Sequence, residues 1–225
     1  MKKSFIITAI LSLFISASFA QSAAPNPKPA YWDDVQTIKK YDSMFEPPKN
    51  PVLFIGSSSI RKWDDAQWTF AAYNALDRGI GGAVTNDIIY YLNDLVFKYR
   101  PKQIVMYVGE NDLVDAKLPA NADSVYNRTL KLYGLIRAKM PTVPIIYLGM
   151  KPSPSRERIM PEEAAFNQKI KGFFANEKNV VFIDVYALML DNGKLRPELY
   201  VGDKLHMTRL GYDIWEKAVR PYLIK

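Results

Sequence analysis

Short apolar runs alternate with amphipathic stretches along most of this chain. Residues 51–55 form a continuous apolar run that ends at Gly56, which is typical of a strand buried on both faces. Weaker or longer runs predict four more strands, at 73–76, 103–108, 143–148 and 180–183.

Apolar residues at helical spacing separate these runs. They predict helices around residues 88–96, 125–136 and 161–174, and a last helix that begins near Thr208 and stops before Pro221. Single helices between strands indicate a parallel sheet covered on both faces, and such sheets place functional loops beyond the carboxyl ends of their strands.

The N-terminal residues have a different pattern. Lys2 and Lys3, a short apolar run and the small residues Ser18 and Ala20 predict a secretory signal peptide, residues 1–20. We therefore expect a secreted or periplasmic protein. Residues 21–30 contain three prolines and predict a disordered lead-in, and residues 31–225 predict one domain. The apolar run is too short for a membrane span, so we expect no stable membrane insertion.

The amino-acid composition limits the partners and the kinds of functional site that we expect. The formal net charge is +7, with two of those charges in the signal peptide, and the basic residues are scattered, so no nucleic-acid partner is expected. The chain has no cysteine and a single histidine, which excludes disulfides, a thiol nucleophile and the usual zinc ligand sets. Acidic residues alone leave an all-oxygen magnesium site open, but we expect no catalytic metal and no cofactor.

Two segments carry groups suited to acyl transfer. Residues 56–60, Gly-Ser-Ser-Ser-Ile, follow the first strand, where a serine is exposed and its backbone N–H can face an oxyanion. Asp203 and His206 precede the last helix, at a spacing that lets the carboxylate hold one imidazole nitrogen and leave the other as a base. Taken singly, a serine-rich turn is more often a helix cap and a lone histidine more often structural.

Two further segments are ambiguous alone. Residues 78–82, Arg-Gly-Ile-Gly-Gly, allow close approach of a ligand to the backbone but equally suit a tight turn. Residues 109–112, Gly-Glu-Asn-Asp, place Asn111 where its side-chain amide could face negative charge, although asparagine is also common in turns.

In combination and in this order, the four segments resemble the SGNH hydrolases, also called the GDSL family. The resemblance extends from Val52 to His206. It implies a three-layer α/β/α sandwich with a five-stranded parallel sheet, of flavodoxin-like type, and the activity of a serine ester hydrolase that works through an acyl-enzyme. That activity requires no cofactor.

The resemblance also implies roles for individual residues. Ser58 would be the nucleophile, His206 the general base and Asp203 the residue that orients it. The backbone N–H groups of Ser58 and Gly82 and the side chain of Asn111 would form the oxyanion hole, with a one-residue shift from Gly82 to Gly81 left open.

One position departs from the family pattern. Ser57 stands where the family usually has aspartate, which leaves Ser57, Ser58 and Ser59 as competing nucleophiles. The run at 56–63 is similar to a bacterial subgroup that resembles the α subunits of platelet-activating-factor acetylhydrolase and lysophospholipase-like esterases. We expect Arg61 and Trp63 in this run to pack the following helix rather than touch substrate.

The substrate is less determined. Residues 151–160 follow the fourth strand, and their prolines indicate a rigid wall beside the site. Because no long apolar insertion is present, we expect short acyl esters, such as acetyl groups on carbohydrates or other small molecules. A lipase-type esterase for longer acyl chains and a catalytically decayed carbohydrate-binding protein are the alternatives. The sequence does not indicate the oligomeric state.

Overall fold

A five-stranded parallel sheet forms the centre of the fold in the computed structural model, which describes residues 28–117 and 121–225. Its strands are β1 Val52–Gly56, β2 Ala75–Gly79, β3 Gln103–Tyr107, β4 Ile145–Leu148 and β5 Val180–Ile183. The strand order is β2-β1-β3-β4-β5. This is the order of flavodoxin-like doubly wound folds, with a switch point between β1 and β3. The predicted fold class is confirmed.

Helices cover both faces of the sheet. They are α1 Trp32–Met44, α2 Ser58–Arg61, α3 Ala66–Thr69, α4 Thr85–Tyr90, α5 Leu92–Leu95, α6 Ala122–Lys139, α7 Met160–Phe174, α8 Val185–Leu188 and α9 Arg209–Val219. A small antiparallel hairpin, β6 Leu190–Asp191 and β7 Lys194–Leu195, lies outside the sheet. None of the helices in the described ranges is both long enough and apolar enough to span a bilayer.

Alternation along the strands divides the core into two layers. In β1, Leu53 and Ile55 face one cluster with α1 and α4 to α7, and Val52 and Phe54 face the other with α2, α8 and α9. Successive side chains of a strand point to opposite faces, so a strand covered on both faces must be apolar throughout. This requirement explains why β1 and β3 could be recognised from composition alone.

The edge strand β2 was placed wrongly by the apolar pattern. The expectation was 73–76, but the strand runs through Asp77 and Arg78 to Gly79, while Asn74 adopts a left-handed turn with φ of 56°. Parallel pairing of Leu53 with Leu76 and of Gly56 with Gly79 uses backbone groups only. An edge strand therefore tolerates polar side chains.

One helix prediction also needs correction, and one long helix was missed. The helix expected around 88–96 is broken into α4 and α5 at Tyr91, whose backbone (φ −99°, ψ 17°) leaves helical geometry. Helix α1 was not predicted, because its hydrophobic face is narrow and only Val35 is fully buried. The predicted signal peptide, residues 1–20, and residues 21–27 of the predicted lead-in lie outside the described residues. Of the remaining lead-in, the Ala30 carbonyl accepts a hydrogen bond from the Tyr91 hydroxyl at 2.7 Å.

Of Arg61 and Trp63, which were both expected to pack the following helix, only Trp63 is buried. Trp63 is buried between the rings of Phe54, Phe70 and Trp215, at centroid distances of 5.4 to 5.9 Å. The expectation for Arg61 was wrong, because its side chain is half exposed and its guanidinium lies 3.0 Å from the carboxylate of Asp34 in α1.

Candidate active site

Ser58 lies at a sharp turn between β1 and α2. Gly56 has a φ of 143°, and a Cβ atom at this position would lie 1.8 Å from the Tyr107 carbonyl oxygen. The Ser57 N–H donates to that same carbonyl at 3.0 Å, which holds the end of β1 against β3. Ser58 is the first residue of α2, so its N–H has no acceptor within the helix. The turn therefore presents both the hydroxyl and the N–H of Ser58.

The Ser58 hydroxyl meets the single histidine of the chain. His206 Nε2 lies 2.9 Å from Ser58 Oγ, and His206 Nδ1 lies 2.6 Å from Asp203 Oδ2. With the Nδ1 proton on the carboxylate side, Nε2 is left to accept the hydroxyl proton. The structure thus brings together the three residues for which the sequence predicted catalytic roles.

Asp203 is fixed and kept ionised by the loop that carries it. Its Oδ1 accepts the backbone N–H groups of Leu205 and His206, both at 2.9 Å. Partial burial opposes ionisation, but the hydrogen bonds from the His206 ring and the two N–H groups outweigh it and lower the pKa of Asp203. An ionised carboxylate is the form that stabilises an imidazolium.

The geometry distinguishes among the three adjacent serines. Ser57 and Ser59 are each only 3 % exposed, and the Ser59 carbonyl accepts a hydrogen bond from the Tyr212 hydroxyl at 3.0 Å. Ser58 is the serine whose hydroxyl lies within hydrogen-bond distance of His206. The geometry therefore favours Ser58 over its two neighbours, which the sequence left as competing nucleophiles.

The loops after β2 and β3 supply further hydrogen-bond donors. Gly82 has a φ of 83°, which favours glycine, and the Ile80 N–H ties this loop to the Gly56 carbonyl at 2.8 Å. Asn111 Nδ2 donates to the Ala83 carbonyl at 3.0 Å. An amide nitrogen carries two N–H groups, so one remains for another acceptor. Since β1, β2 and β3 are adjacent, these donors share one edge of the sheet with Ser58.

Asp112 anchors the loop that carries Asn111. Its carboxylate accepts the N–H and the hydroxyl of Thr85, at 2.9 and 3.1 Å, and the Nε–H of Arg128 at 2.7 Å. Burial raises the pKa of Asp112, and these hydrogen bonds oppose the rise. Asp112 therefore connects the β3 loop to the start of α4 and to the second turn of α6.

A buried charge cluster behind Asn111 was not predicted. Arg156 Nη2 donates to Asn111 Oδ1 at 2.7 Å, and Arg156 Nη1 lies 3.1 Å from Glu110 Oε1. Lys151 Nζ, with no exposed surface, lies 3.2 Å from both Glu110 oxygens, and the Tyr107 hydroxyl also donates to Glu110. Burial raises the pKa of Glu110, but Lys151, Arg156 and Tyr107 outweigh it and hold that pKa below its usual range.

One signal in the sequence could have indicated this cluster. Glu110 and Lys151 come two and three residues after the third and fourth predicted strands, at the edge where functional loops were expected. The loop at 151–160 does lie beside the site, where it forms a short 3-10 helix, Pro154–Ile159. The Ser155 N–H donates to the Lys204 carbonyl at 3.0 Å, and the Tyr200 hydroxyl donates to the Pro152 carbonyl. These bonds join that loop to the segment that carries His206.

Most of the chain matches one family of known proteins. Residues 55–214, which contain every predicted site residue, match the sequence model of the GDSL-like lipase/acylhydrolase family. No curated protein sequence matches the chain significantly.

Solved structures share the fold at low sequence identity. A proposed acylhydrolase from Bacteroides fragilis is 22 % identical, with a TM-score of 0.75 over 88 % of this chain and 98 % of its own. A GDSL-like lipase from Bacteroides thetaiotaomicron is 21 % identical, with a TM-score of 0.72 over 84 % and 97 %. A catalytic mutant of an acetylxylan esterase from Geobacillus stearothermophilus is 15 % identical, with a TM-score of 0.61 over 76 % and 94 %.

Proposed function

Because this chain belongs to the GDSL-like lipase/acylhydrolase family and is therefore an ester hydrolase, we propose that it removes short acyl groups from polar alcohols by a Ser58–His206–Asp203 mechanism. The observation that carries the proposal is the continuous hydrogen-bond chain from Ser58 Oγ through His206 to Asp203, at 2.9 and 2.6 Å. A binding function alone requires no such proton path.

The proposed reaction has two acyl-transfer steps. Ser58 Oγ attacks the ester carbonyl carbon while His206 Nε2 takes the hydroxyl proton. The carbon–oxygen bond to the alcohol then breaks, and His206 returns the proton to the leaving oxygen. Water repeats the sequence on the acyl-enzyme and releases the acid and free Ser58.

The oxyanion formed in each step needs donors in place before the reaction. The N–H groups of Ser58 and Gly82 and the second N–H of Asn111 are proposed for this role, with Gly81 as the one-residue alternative to Gly82. Donors that the fold already holds in place lose little free energy to reorganisation when charge develops.

The surroundings of the triad support a polar leaving group. A groove of about 210 Å³ next to His206 is lined by Lys62, Asp64, Asp65, Met207, Arg209 and Tyr212. Lys62 Nζ lies 3.1 Å from His206 Nδ1, so the groove adjoins the face of the histidine that is turned toward Asp203. Four of the six lining side chains are charged, which suits hydroxyl groups of a sugar better than a hydrocarbon chain.

The fold relatives include a protein with such a substrate. The structure from Geobacillus stearothermophilus is named an acetylxylan esterase. At 15 % identity it does not decide the substrate of this chain, but an acetylated carbohydrate agrees with the charged groove. We therefore propose acetyl esters of carbohydrates as the first substrates to test.

Chain-length profiling with serine variants tests the proposal. Hydrolysis of 4-nitrophenyl acetate, butyrate and palmitate would be measured for the wild type and for Ser58→Ala, together with acetate release from acetylated xylo-oligosaccharides. We expect the highest kcat/KM on acetate and a loss of at least about a thousandfold in Ser58→Ala. The matched controls Ser57→Ala and Ser59→Ala should keep activity within about tenfold of wild type, since neither hydroxyl is aligned with His206.

The other outcomes identify the alternatives. A preference for palmitate would indicate a lipase-type esterase. Absence of hydrolysis at every chain length, with retained carbohydrate binding, would indicate a decayed binding protein. Full activity of Ser58→Ala would move the nucleophile to a neighbouring serine.

Export is a separate proposal that rests on the N-terminal pattern. Cleavage after Ala20 would release a secreted or periplasmic protein that begins at Gln21. N-terminal sequencing of the protein recovered from cell fractions tests it, and an intact Met1 on a cytoplasmic product would refute it.

A further inference from the structure

Arg156 reaches the site through Asn111, since its guanidinium nitrogen Nη2 lies 2.7 Å from Asn111 Oδ1. We propose that Arg156 is a positioning residue that holds the Asn111 amide with one N–H directed toward the oxyanion. The inference rests on the proposed function, in which Asn111 is an oxyanion donor, and adds to it the residue that sets the direction of that donor.

The hydrogen bonds of Asn111 permit a single orientation of its amide. Nδ2 donates to the Ala83 carbonyl at 3.0 Å while Oδ1 accepts from Arg156. A half-turn of the amide would place Oδ1 against the Ala83 carbonyl, so that two acceptors face each other. It would also place the NH₂ group against the guanidinium, so that two donors face each other. Because both contacts would become repulsive, the second Nδ2–H always faces the same side.

Arg156 can hold the amide because it is itself held. Its side chain is 14 % exposed, and Nη1 lies 3.1 Å from Glu110, whose side chain is 4 % exposed. Lys151 and Tyr107 bind the same carboxylate, so Glu110 cannot turn away without leaving buried groups unpaired. A guanidinium can donate to Glu110 and Asn111 at once because its N–H groups form a planar fork.

The positive charge has a second effect on the amide. A cation bonded to Oδ1 draws electron density from the amide nitrogen, which strengthens the remaining N–H as a donor. The effect is larger in a partly buried site than in water. Arg156 thereby assists the oxyanion hole through Asn111 rather than by contact with substrate.

A double-mutant cycle on 4-nitrophenyl acetate tests this inference, with kcat and KM measured for the wild type, Arg156→Met, Asn111→Ala and the double variant. We expect kcat to fall about tenfold in Arg156→Met with KM nearly unchanged, and about a hundredfold in Asn111→Ala. In the Asn111→Ala background, Arg156→Met should cause less than about a twofold further loss, because the group through which it acts is gone.

Additional variants separate positioning from a general structural role. Arg158→Met removes an exposed arginine from the same 3-10 helix and should leave kcat unchanged. Arg156→Lys keeps the charge but loses the fork, so it should restore only part of the activity. Arg156→Lys would also replace Arg156→Met in the cycle if the methionine variant did not fold, as judged by its melting temperature.

Three results would overturn the inference. The first is a double variant whose loss is the product of the single losses, which would mean that Arg156 acts independently of Asn111. The second is wild-type kcat in folded Arg156→Met. The third is full activity of Asn111→Ala, and if Ser58→Ala were still inactive, the proposed hydrolase function would stand while this inference failed.

Discussion

Glu163 in α7 is a buried carboxyl group that should make stability depend on pH. Its side chain has no exposed surface, and neither oxygen has a hydrogen-bond partner within the described part of the chain. Burial and the nearby charge of Glu110 raise the pKa of Glu163 from 4.5 to about 8, although Lys151 and Arg156 oppose the rise. In the folded protein this group therefore stays protonated at pH values where the unfolded chain has lost the proton.

The sign and size of the effect follow from proton linkage. A folded-state pKa above the unfolded value means that the folded state binds more protons between pH 4.5 and 8, so the free energy of unfolding falls as pH rises through this window. Each unit of pKa difference corresponds to about 1.4 kcal/mol. Glu163 should therefore lower the free energy of unfolding by about 3 kcal/mol between pH 5 and pH 8.

Glu163→Gln isolates this contribution because the amide is neutral at every pH. Urea unfolding of wild type and variant at pH 5, 6, 7 and 8 would give their difference in free energy of unfolding. A buried amide without partners costs stability at all four pH values, so the slope of the difference with pH is the informative quantity. We expect the variant to gain about 3 kcal/mol relative to wild type from pH 5 to pH 8.

A matched control and a clear negative result complete the experiment. Glu157→Gln removes an exposed carboxyl group from the adjacent 3-10 helix and should give a difference that hardly changes with pH. If the Glu163→Gln difference also stayed constant within about 0.5 kcal/mol, Glu163 would be ionised in the folded protein at neutral pH. The inferred protonation of Glu163 would then be wrong.

Two further predictions concern the triad and the aromatic core. Asp203→Asn should lower kcat on 4-nitrophenyl acetate by about a thousandfold or more with little change in KM, because an amide cannot stabilise the imidazolium; a loss below tenfold would contradict the assigned role. Trp63→Ala should lower the free energy of unfolding in urea by about 3 to 5 kcal/mol, since it empties a site enclosed by aromatic rings. Trp63→Phe serves as its control and should retain most of that stability, and a loss below 1 kcal/mol in Trp63→Ala would count against close packing there.

Local sequence patterns were sufficient wherever a property depends on one element. Strands covered on both faces must be apolar throughout, so β1, β3 and β5 were located to within one residue at each end. Polar segments follow several of the predicted strands, and this pattern predicted the edge of the sheet at which the site lies. The three-residue spacing of Asp203 and His206 predicted their contact, because that contact is formed within a single loop.

Structural features that depend on contacts between several helices or strands could not be predicted from local sequence patterns. The polar half of β2 is defined by backbone pairing with β1, which leaves no periodic signal in the side chains. Helix α1 buries a single residue completely, so its apolar face is too narrow to be recognised. Arg61, the last residue of α2, pairs with Asp34 of α1, which lies 27 residues away in the chain, and the sequence between them contains no local signal of this contact.

The sequence by itself determined the sheet, the edge that holds the site and the residue types available there. Only the tertiary structure decided which atoms meet. Ser58 rather than Ser57 or Ser59 faces His206, although 148 residues separate the two, because the turn after Gly56 sets the direction of each serine side chain. Arg156 and Asn111 are 45 residues apart in the chain, and the conformations of their two loops likewise decide that their side chains meet. Periodicity reports how much of an element is buried, whereas a contact between elements depends on strand order and loop conformation, which no local pattern contains.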